Sequence, residues 1–323
     1  MAGERILVLG GAGYIGSYVN KALHRAGYDT VVLDNLSHGD ARTVTYGRFI
    51  QGDIGNVRDL ERAFAAGPFA AVMHFAAYID VGASVRNPAE YYRNNVCHTL
   101  TVLQTMLANG VPSFVFSSSA GIFGVPETER IDETHPCRPI NPYGESKWMV
   151  ERILDRFDHA YGLRSMSLRY FNAAGADPEG EIKVYPRKET NLIPILLRSL
   201  KNGGSQVSVF GTDYPTPDGT CVRDYIHIAD LAQAHILALR KVLDGAESDQ
   251  YNLGNGNGYS IREVIRAVEA VTGMELNIVD GPRREGDPAR LVACAKKAEA
   301  ELAWKCHYPD LETMIKHAWQ ALF

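Results

Sequence analysis

The segment Gly10-Gly11-Ala12-Gly13-Tyr14-Ile15-Gly16 constrains this chain more than any other. It follows a short apolar run, Arg5–Leu9, and opens a stretch of helical character over residues 15–26. Glycines in that position let the backbone approach a pyrophosphate closely, and the helix start offers unsatisfied N–H groups and a positive dipole end. A glycine-rich turn alone is only a tight bend. Here a second, β-branched run over 30–33 ends at Asp34, 18 residues after Gly16. A carboxylate there accepts from ribose hydroxyls and repels a 2′-phosphate, which favours NAD over NADP. Strand, glycines, helix and acid in that order predict a dinucleotide-binding unit.

The pattern continues. Further strands are expected over Arg48–Gln51, 71–75, 114–117 and 165–170, with helices between them, notably over 88–108 and 143–160. Strands alternating with helices imply right-handed crossovers and a parallel sheet. After Asn172 the grammar loosens. Residues 173–189 and 214–219 read as loop and turn, then a strand at 225–228 precedes a helix over 229–240. Ser260-Ile261-Arg262-Glu263 is a capping box for a helix whose Ile261, Val264, Ile265 and Val268 share one face. A second domain interleaved with the first is expected.

Two further groups carry chemistry. In Tyr143-Gly144-Glu145-Ser146-Lys147, just after Pro142, the phenol and the ammonium lie four residues apart on one helix face. A free phenol titrates near 10; a nearby ammonium and an oxidised nicotinamide both favour phenolate, which makes Tyr143 a usable base. In Ser117-Ser118-Ser119-Ala120-Gly121 a strand ends where ligands sit in such sheets, and the Ser119 hydroxyl is placed to bind a reacting oxygen.

Composition sets the outer limits. The net charge of −5 offers no electrostatic reason to expect nucleic acid or an anionic membrane as partner. No apolar run approaches the length of a membrane span or secretory signal. The five cysteines are scattered without a C-x-x-C pair, and the histidines show no metal-ligand spacing, so a reducing, cytoplasmic setting and no metal are expected.

With these residues in view, the chain resembles the extended short-chain dehydrogenase/reductase superfamily, and within it the UDP-glucose (UDP-galactose) 4-epimerases. The likeness runs nearly end to end. Besides the groups above it rests on Asp34-Asn35-Leu36, Gly52-Asp53-Ile54, His74-Phe75-Ala76-Ala77, residues 91–95, Arg169-Tyr170-Phe171-Asn172, Val222-Arg223-Asp224-Tyr225-Ile226-His227 and Arg283-Arg284-Glu285-Gly286-Asp287. It implies an α/β fold: a Rossmann-type doubly wound parallel sheet with a smaller interleaved α/β substrate domain. Residues 1–172 and about 222–249 would form the NAD-binding domain, and about 173–221 with 250–323 the UDP-sugar domain.

The resemblance also implies roles. Gly10, Gly13, Tyr14, Ile15 and Gly16 would hold the NAD pyrophosphate, Asp34 and Asn35 the adenine ribose, and Asp53 and Ile54 the adenine. Phe75, Ala76, Ala77, Asn95 and Tyr170 would line the cofactor, which Tyr143 and Lys147 also contact. Ser119, Tyr143 and Lys147 are the implied catalytic set, with Ser119 and Tyr143 on the sugar. Asn172, Asn191, Leu192, Phe210, Arg223, Arg284 and Asp287 are implied in binding UDP. A homodimer is expected, with the helices at 88–108 and 143–160 as the interface. The sequence departs from the familiar pattern at Ile79, Phe123 and Leu291.

The expected reaction oxidises C4 of a UDP-hexose, turns the 4-keto sugar over and reduces it from the other face, interconverting UDP-glucose and UDP-galactose. Sugar-nucleotide dehydratases carry an Asp-Glu pair where this chain has Ala120-Gly121, which cannot transfer protons. Epimerases of N-acetylated UDP-hexoses, UDP-pentoses or UDP-hexuronates share the machinery and stay open as alternatives. A non-catalytic nucleotide sensor would typically lack the Tyr143–Lys147 pair.

Overall fold

Alternate residues of the first strand point to opposite sides and are buried on both, the signature of a strand covered on two faces. Ile6 and Val8 enter one core, Leu7 and Leu9 another, and all four are fully buried. The computed structural model describes residues 3–183, 191–284 and 286–322. Its strands are β1 (Arg5–Leu9), β2 (Asp29–Asp34), β3 (Arg48–Gln51), β4 (Ala71–His74), β5 (Ser113–Ser119), β6 (Arg164–Tyr170), β7 (Asn172–Ala174), β8 (Val207–Phe210), β9 (Val222–His227), β10 (Asp249–Leu253), β11 (Gly258–Ser260), β12 (Ile278–Gly281) and β13 (Arg290–Leu291).

Seven of them form one parallel sheet in the order β10-β6-β5-β4-β1-β2-β3. The helices are α1 (Tyr14–Arg25), α2 (Val57–Phe64), α3 (Val81–Arg86), α4 (Pro88–Tyr91), α5 (His98–Ala108), α6 (Pro142–Tyr161), α7 (Leu192–Lys201), α8 (Ile228–Leu243), α9 (Ile261–Thr272), α10 (Lys296–Glu301) and α11 (Leu311–Gln320). Val19 and Leu23 of α1 and Leu231 and Leu239 of α8 cover one face. Leu60 of α2, Val102 and Met106 of α5, and Val150 and Leu154 of α6 cover the other. The chain runs outward from β1 in one direction and from β4 in the other. The crevice beyond their carboxyl ends is the topological switch point, where such sheets bind ligands.

A smaller layer sits beyond that edge. β9 pairs with β7, β11 and β13, and β8 pairs with β12. Apolar faces of α7, α9 and α11 pack together against it.

The expected α/β class is present, as is the capping box: Ser260 Oγ accepts from Glu263 N, and Glu263 Oε2 accepts from Ser260 N. Local details differ. The helix expected over 88–108 is interrupted by a π-helical turn, Tyr92–Cys97, that joins α4 to α5. The stretch read as loop from 173 contains β7, and its residues 184–189 lie outside the described residues, as does Glu285. The strand expected within 222–249 joins the smaller sheet, leaving only α8 against the large one. Asp249–Leu253 instead continues past 249 to become the outermost strand of the large sheet. Their membership follows from where the crossovers deliver them. Among the described residues no helix is long and apolar enough to cross a membrane.

Candidate active site

The turn after β1 is built for close approach. Gly10 has φ 78°, and a Cβ on it would lie 2.5 Å from the Ala76 nitrogen. Gly13, by contrast, begins α1 with only the Gly10 carbonyl, at 3.4 Å, near the place a Cβ would take. No side chain caps that helix and no acid stands in its first turn. A bare helix start with glycine facing open space suits an anionic pyrophosphate. Gly16 packs its Cα under the Gly10 carbonyl, and Ile15 turns into the core. The Tyr14 hydroxyl donates to the Gly175 carbonyl at 2.6 Å, tying the turn to the chain beyond β7.

Asp34, at the end of β2, is 9% exposed. Its Oδ2 accepts from Ala12 N at 2.9 Å and its Oδ1 from Leu36 N at 2.8 Å. Burial raises its pKa, and these two backbone donors oppose the rise. The second bond holds Leu36 in the left-handed region at φ 60°, which costs a non-glycine residue about 1–2 kcal/mol. Asn35 Nδ2 donates to Asp53 Oδ2 at 2.7 Å, and Asp53 Oδ1 accepts from Gly55 N at 2.7 Å, next to buried Ile54. The structure therefore joins Asn35 to Asp53 by a hydrogen bond, while Asp34 is bonded separately to the backbone of the glycine turn and of Leu36. Phe75, Ala76 and Ala77 follow β4 on the other side of the glycine turn. Asn95 has its side chain engaged with protein: Oδ1 accepts from Tyr78 N at 2.9 Å, while Nδ2 donates to Tyr78 O and to Ser146 Oγ, both at 3.0 Å. It ties the loop after β4 to the helix that carries Tyr143.

Asn141 caps that helix by accepting from Gly144 N at 2.9 Å, and Pro142 fills its first turn. Tyr143 and Lys147 thus stand on its opening turns, beside Ser119 at the end of β5. The Lys147 side chain is almost wholly buried at 3% exposure. Its Nζ donates to the Ser117 carbonyl at 2.8 Å and lies 4.8 Å from the Phe116 ring centre. Burial lowers its pKa to about 7, against a weaker upward pull from Glu151. Burial also raises the pKa of Tyr143, and the hydrogen bond with Ser119 draws it partly back. The expectation of an acidic phenol rests on Lys147 and an oxidised nicotinamide acting together. In the protein alone desolvation dominates both groups, and the ammonium is committed to a backbone carbonyl. Tyr170 pairs its hydroxyl with that of Ser117, and burial pushes its pKa up.

Several supporting residues escaped the sequence reading. Ser117 contributes both its carbonyl and its hydroxyl. Glu151, one turn after Lys147, accepts from Ser118 Oγ at 2.5 Å and forms a buried pair with Arg169 at 2.6 Å. The i, i+4 spacing of Lys147 and Glu151 is visible in the sequence; the arginine on β6 is not. His235 of α8 packs against Phe75 with ring centres 4.9 Å apart and planes tilted by 43°, and burial lowers its pKa to about 4.

Across the crevice the smaller layer presents the anion-binding candidates. Arg223 of β9 is ion-paired with Asp287 and donates to the Val222 carbonyl at 2.8 Å. The Tyr214 hydroxyl reaches the Asp287 carbonyl at 3.3 Å. The Arg284 guanidinium stacks 4.1 Å from the centre of the Phe210 ring. Asn172 of β7 donates to the Asp224 carbonyl at 3.1 Å. Asn191 begins α7 without a side-chain cap, whereas the neighbouring Leu192 packs into the small core. Arg223 with Asp287 and Arg284 with Phe210 thus form two contact pairs of the smaller layer. Leu291 packs with Phe123, Ile131 and Phe171.

A parallel sheet in this strand order, with a glycine turn at its switch point and a Ser/Tyr/Lys set at its carboxyl ends, defines a nicotinamide-dinucleotide enzyme of the extended short-chain dehydrogenase/reductase type. The model of the NAD dependent epimerase/dehydratase family matches residues 6–254, and the chain belongs to that family. Among curated relatives, UDP-glucose 4-epimerase of Halalkalibacterium halodurans is 46% identical over 97% of this chain and 94% of its own. That of Rhizobium meliloti is 46% identical over 99% and 97%. Among solved structures, UDP-glucose 4-epimerase from Brucella ovis in complex with NAD superposes with a TM-score of 0.94 at 42% identity, covering 98% of both chains. The Bifidobacterium longum enzyme in complex with NAD+ and UDP gives 0.92 at 37% identity, with 98% of each covered. The chain is an isomerase that depends on NAD.

Proposed function

We propose that the protein interconverts UDP-glucose and UDP-galactose by inversion at C4, with Ser119, Tyr143 and Lys147 as the reacting set. The observation that carries this reading is the gathering of Ser119 at the end of β5, Tyr143 on the first turn of α6 and buried Lys147, whose Nζ donates to the Ser117 carbonyl at 2.8 Å. When bound, NAD+ supplies the hydride acceptor and a positive charge. Tyr143 as phenolate takes the proton of the sugar 4-hydroxyl while C4 becomes a ketone, and it returns that proton when C4 is reduced from the opposite face. Ser119 holds the reacting oxygen through both halves. Arg223 and Arg284 grip the pyrophosphate, forked donors matched to phosphate oxygens, so the 4-keto sugar turns over on a tether. Asp34 and the turn at Gly10, Gly13 and Gly16 keep the dinucleotide in place between turnovers.

Ala120 and Gly121 begin a short 3-10 turn after Ser119, where a dehydratase needs acid and base. That supports epimerisation over elimination. The working unit in this proposal is a cytoplasmic homodimer. Its support is exposed Val81 and Val85 on α3 and Met149 on α6, together with five free cysteines.

The test is direct. Purified protein is incubated with UDP-galactose, the N-acetylated pair and UDP-xylose in turn, and the anomeric proton signals are followed by NMR. Conversion of UDP-galactose to UDP-glucose without added reductant is expected. An unchanged sugar in the presence of NAD+ would overturn the proposal in favour of a nucleotide sensor.

A further inference from the structure

The strands β2 and β4 flank β1, so the loops leaving their carboxyl ends emerge on either side of the glycine turn. Both loops touch it. On one side Asp40 N donates to the Ala12 carbonyl at 3.1 Å, and Thr43 Oγ1 donates to the same oxygen at 2.9 Å. On the other side the Gly10 Cα presses against the Ala76 backbone. A little further along each loop the two sides meet. The rings of His38 and Tyr78 lie with centres 5.6 Å apart, tilted by 58°.

The two partners are held differently. Tyr78 is fixed: Asn95 grips both its N–H and its carbonyl, and its ring packs on Tyr91 at 5.8 Å. Tyr91 is itself anchored by donating to the Asp80 carbonyl at 2.6 Å. His38 is exposed and follows the left-handed turn at Leu36, with its Nδ1 hydrogen-bonded to Ser37 Oγ at 3.2 Å. An exposed ring reaching across the path of the glycine turn to a rigid one is a bridge between two loops that share no strand pairing.

We propose that His38 and Tyr78 form an aromatic clasp over the bound dinucleotide and slow its release. The proposal rests on the reading that NAD lies along the turn at residues 10–16. A reaction that regenerates its oxidised cofactor in each cycle gains from slow release. One aromatic contact of this kind corresponds to about a two- to tenfold change in a dissociation rate.

The holoprotein and its His38→Ala, His38→Phe, Tyr78→Leu and double His38→Ala/Tyr78→Leu forms are loaded with radiolabelled NAD+ and chased with excess unlabelled NAD+. Label should leave the His38→Ala form about three to ten times faster than the unaltered protein. His38→Phe should restore slow release, and the double variant should lose no more than the Tyr78→Leu form. Wild-type release from His38→Ala, no rescue by phenylalanine, or independent multiplication of the two effects would each overturn the clasp while leaving the dinucleotide where it is placed. If the unaltered protein holds no label at all, the placement of NAD itself falls, and the clasp with it.

Discussion

Replacing Lys147 by Met should stabilise the cofactor-free protein at neutral pH. Burial lowers the lysine pKa from 10.5 to about 7. The folded chain therefore binds a proton less readily than the unfolded chain, and the sign follows. Below pH 7 both states are protonated and the full cost of burying the ammonium is present. At about 1.4 kcal/mol per pH unit, that cost is on the order of 4–5 kcal/mol. Between pH 7 and 10.5 only the unfolded state holds the proton, so stability rises with pH. Methionine is of similar length and carries no charge, but it strands the Ser117 carbonyl that Lys147 now satisfies at 2.8 Å, a loss of about 1–3 kcal/mol. The net expected gain at pH 7 is about 2–3 kcal/mol. Urea unfolding of both proteins after removal of NAD, followed by tryptophan fluorescence at pH 7, 8 and 9, reads it. From pH 7 to 9 the native protein should close on the variant by about 2–3 kcal/mol. Other titrating groups cancel in the difference. Parallel profiles for the two proteins would show that Lys147 keeps its charge throughout, and the argument from burial would fail.

Three other outcomes are expected. Tyr143→Phe should lower turnover about a hundred- to ten-thousandfold, with the melting temperature little changed; near-normal epimerisation would remove the phenol from the proton step. Glu151→Ala should cost about 3–5 kcal/mol in urea unfolding, because Arg169, already with one nitrogen unpartnered, is left as a buried lone charge. A loss below about 1 kcal/mol would mean that water reaches the guanidinium. Arg223→Ala removes a forked donor and frees Asp287, so KM for UDP-galactose should rise at least about tenfold with a much smaller change in kcat; an unchanged KM would take Arg223 out of the anion site.

How much of this was legible beforehand varies with distance along the chain. The strand–glycine–helix–acid order around Gly10 and Asp34 is local: each residue's conformation or cap is set within a few neighbours. The same holds for Pro142 and the helix that puts Tyr143 and Lys147 on one face. The π turn around Asn95 was not legible, because the local sequence reads as unbroken helix and the turn is stabilised by bonds to Tyr78 and Ser146 from elsewhere. Leu192, expected near the substrate, is drawn into the small core by α7 packing.

By itself the sequence determined the fold class and the parallel sheet, since these follow from periodicity, glycine geometry and the alternation of strands with helices. Only the tertiary structure decided that β9 joins the small sheet and β10 the large one, that Arg223 meets Asp287, and that His38 reaches Tyr78. It alone decided how deeply Lys147 is buried as well. Strand partnership and desolvation are sums over residues far apart in the chain, and no window of neighbouring letters contains them.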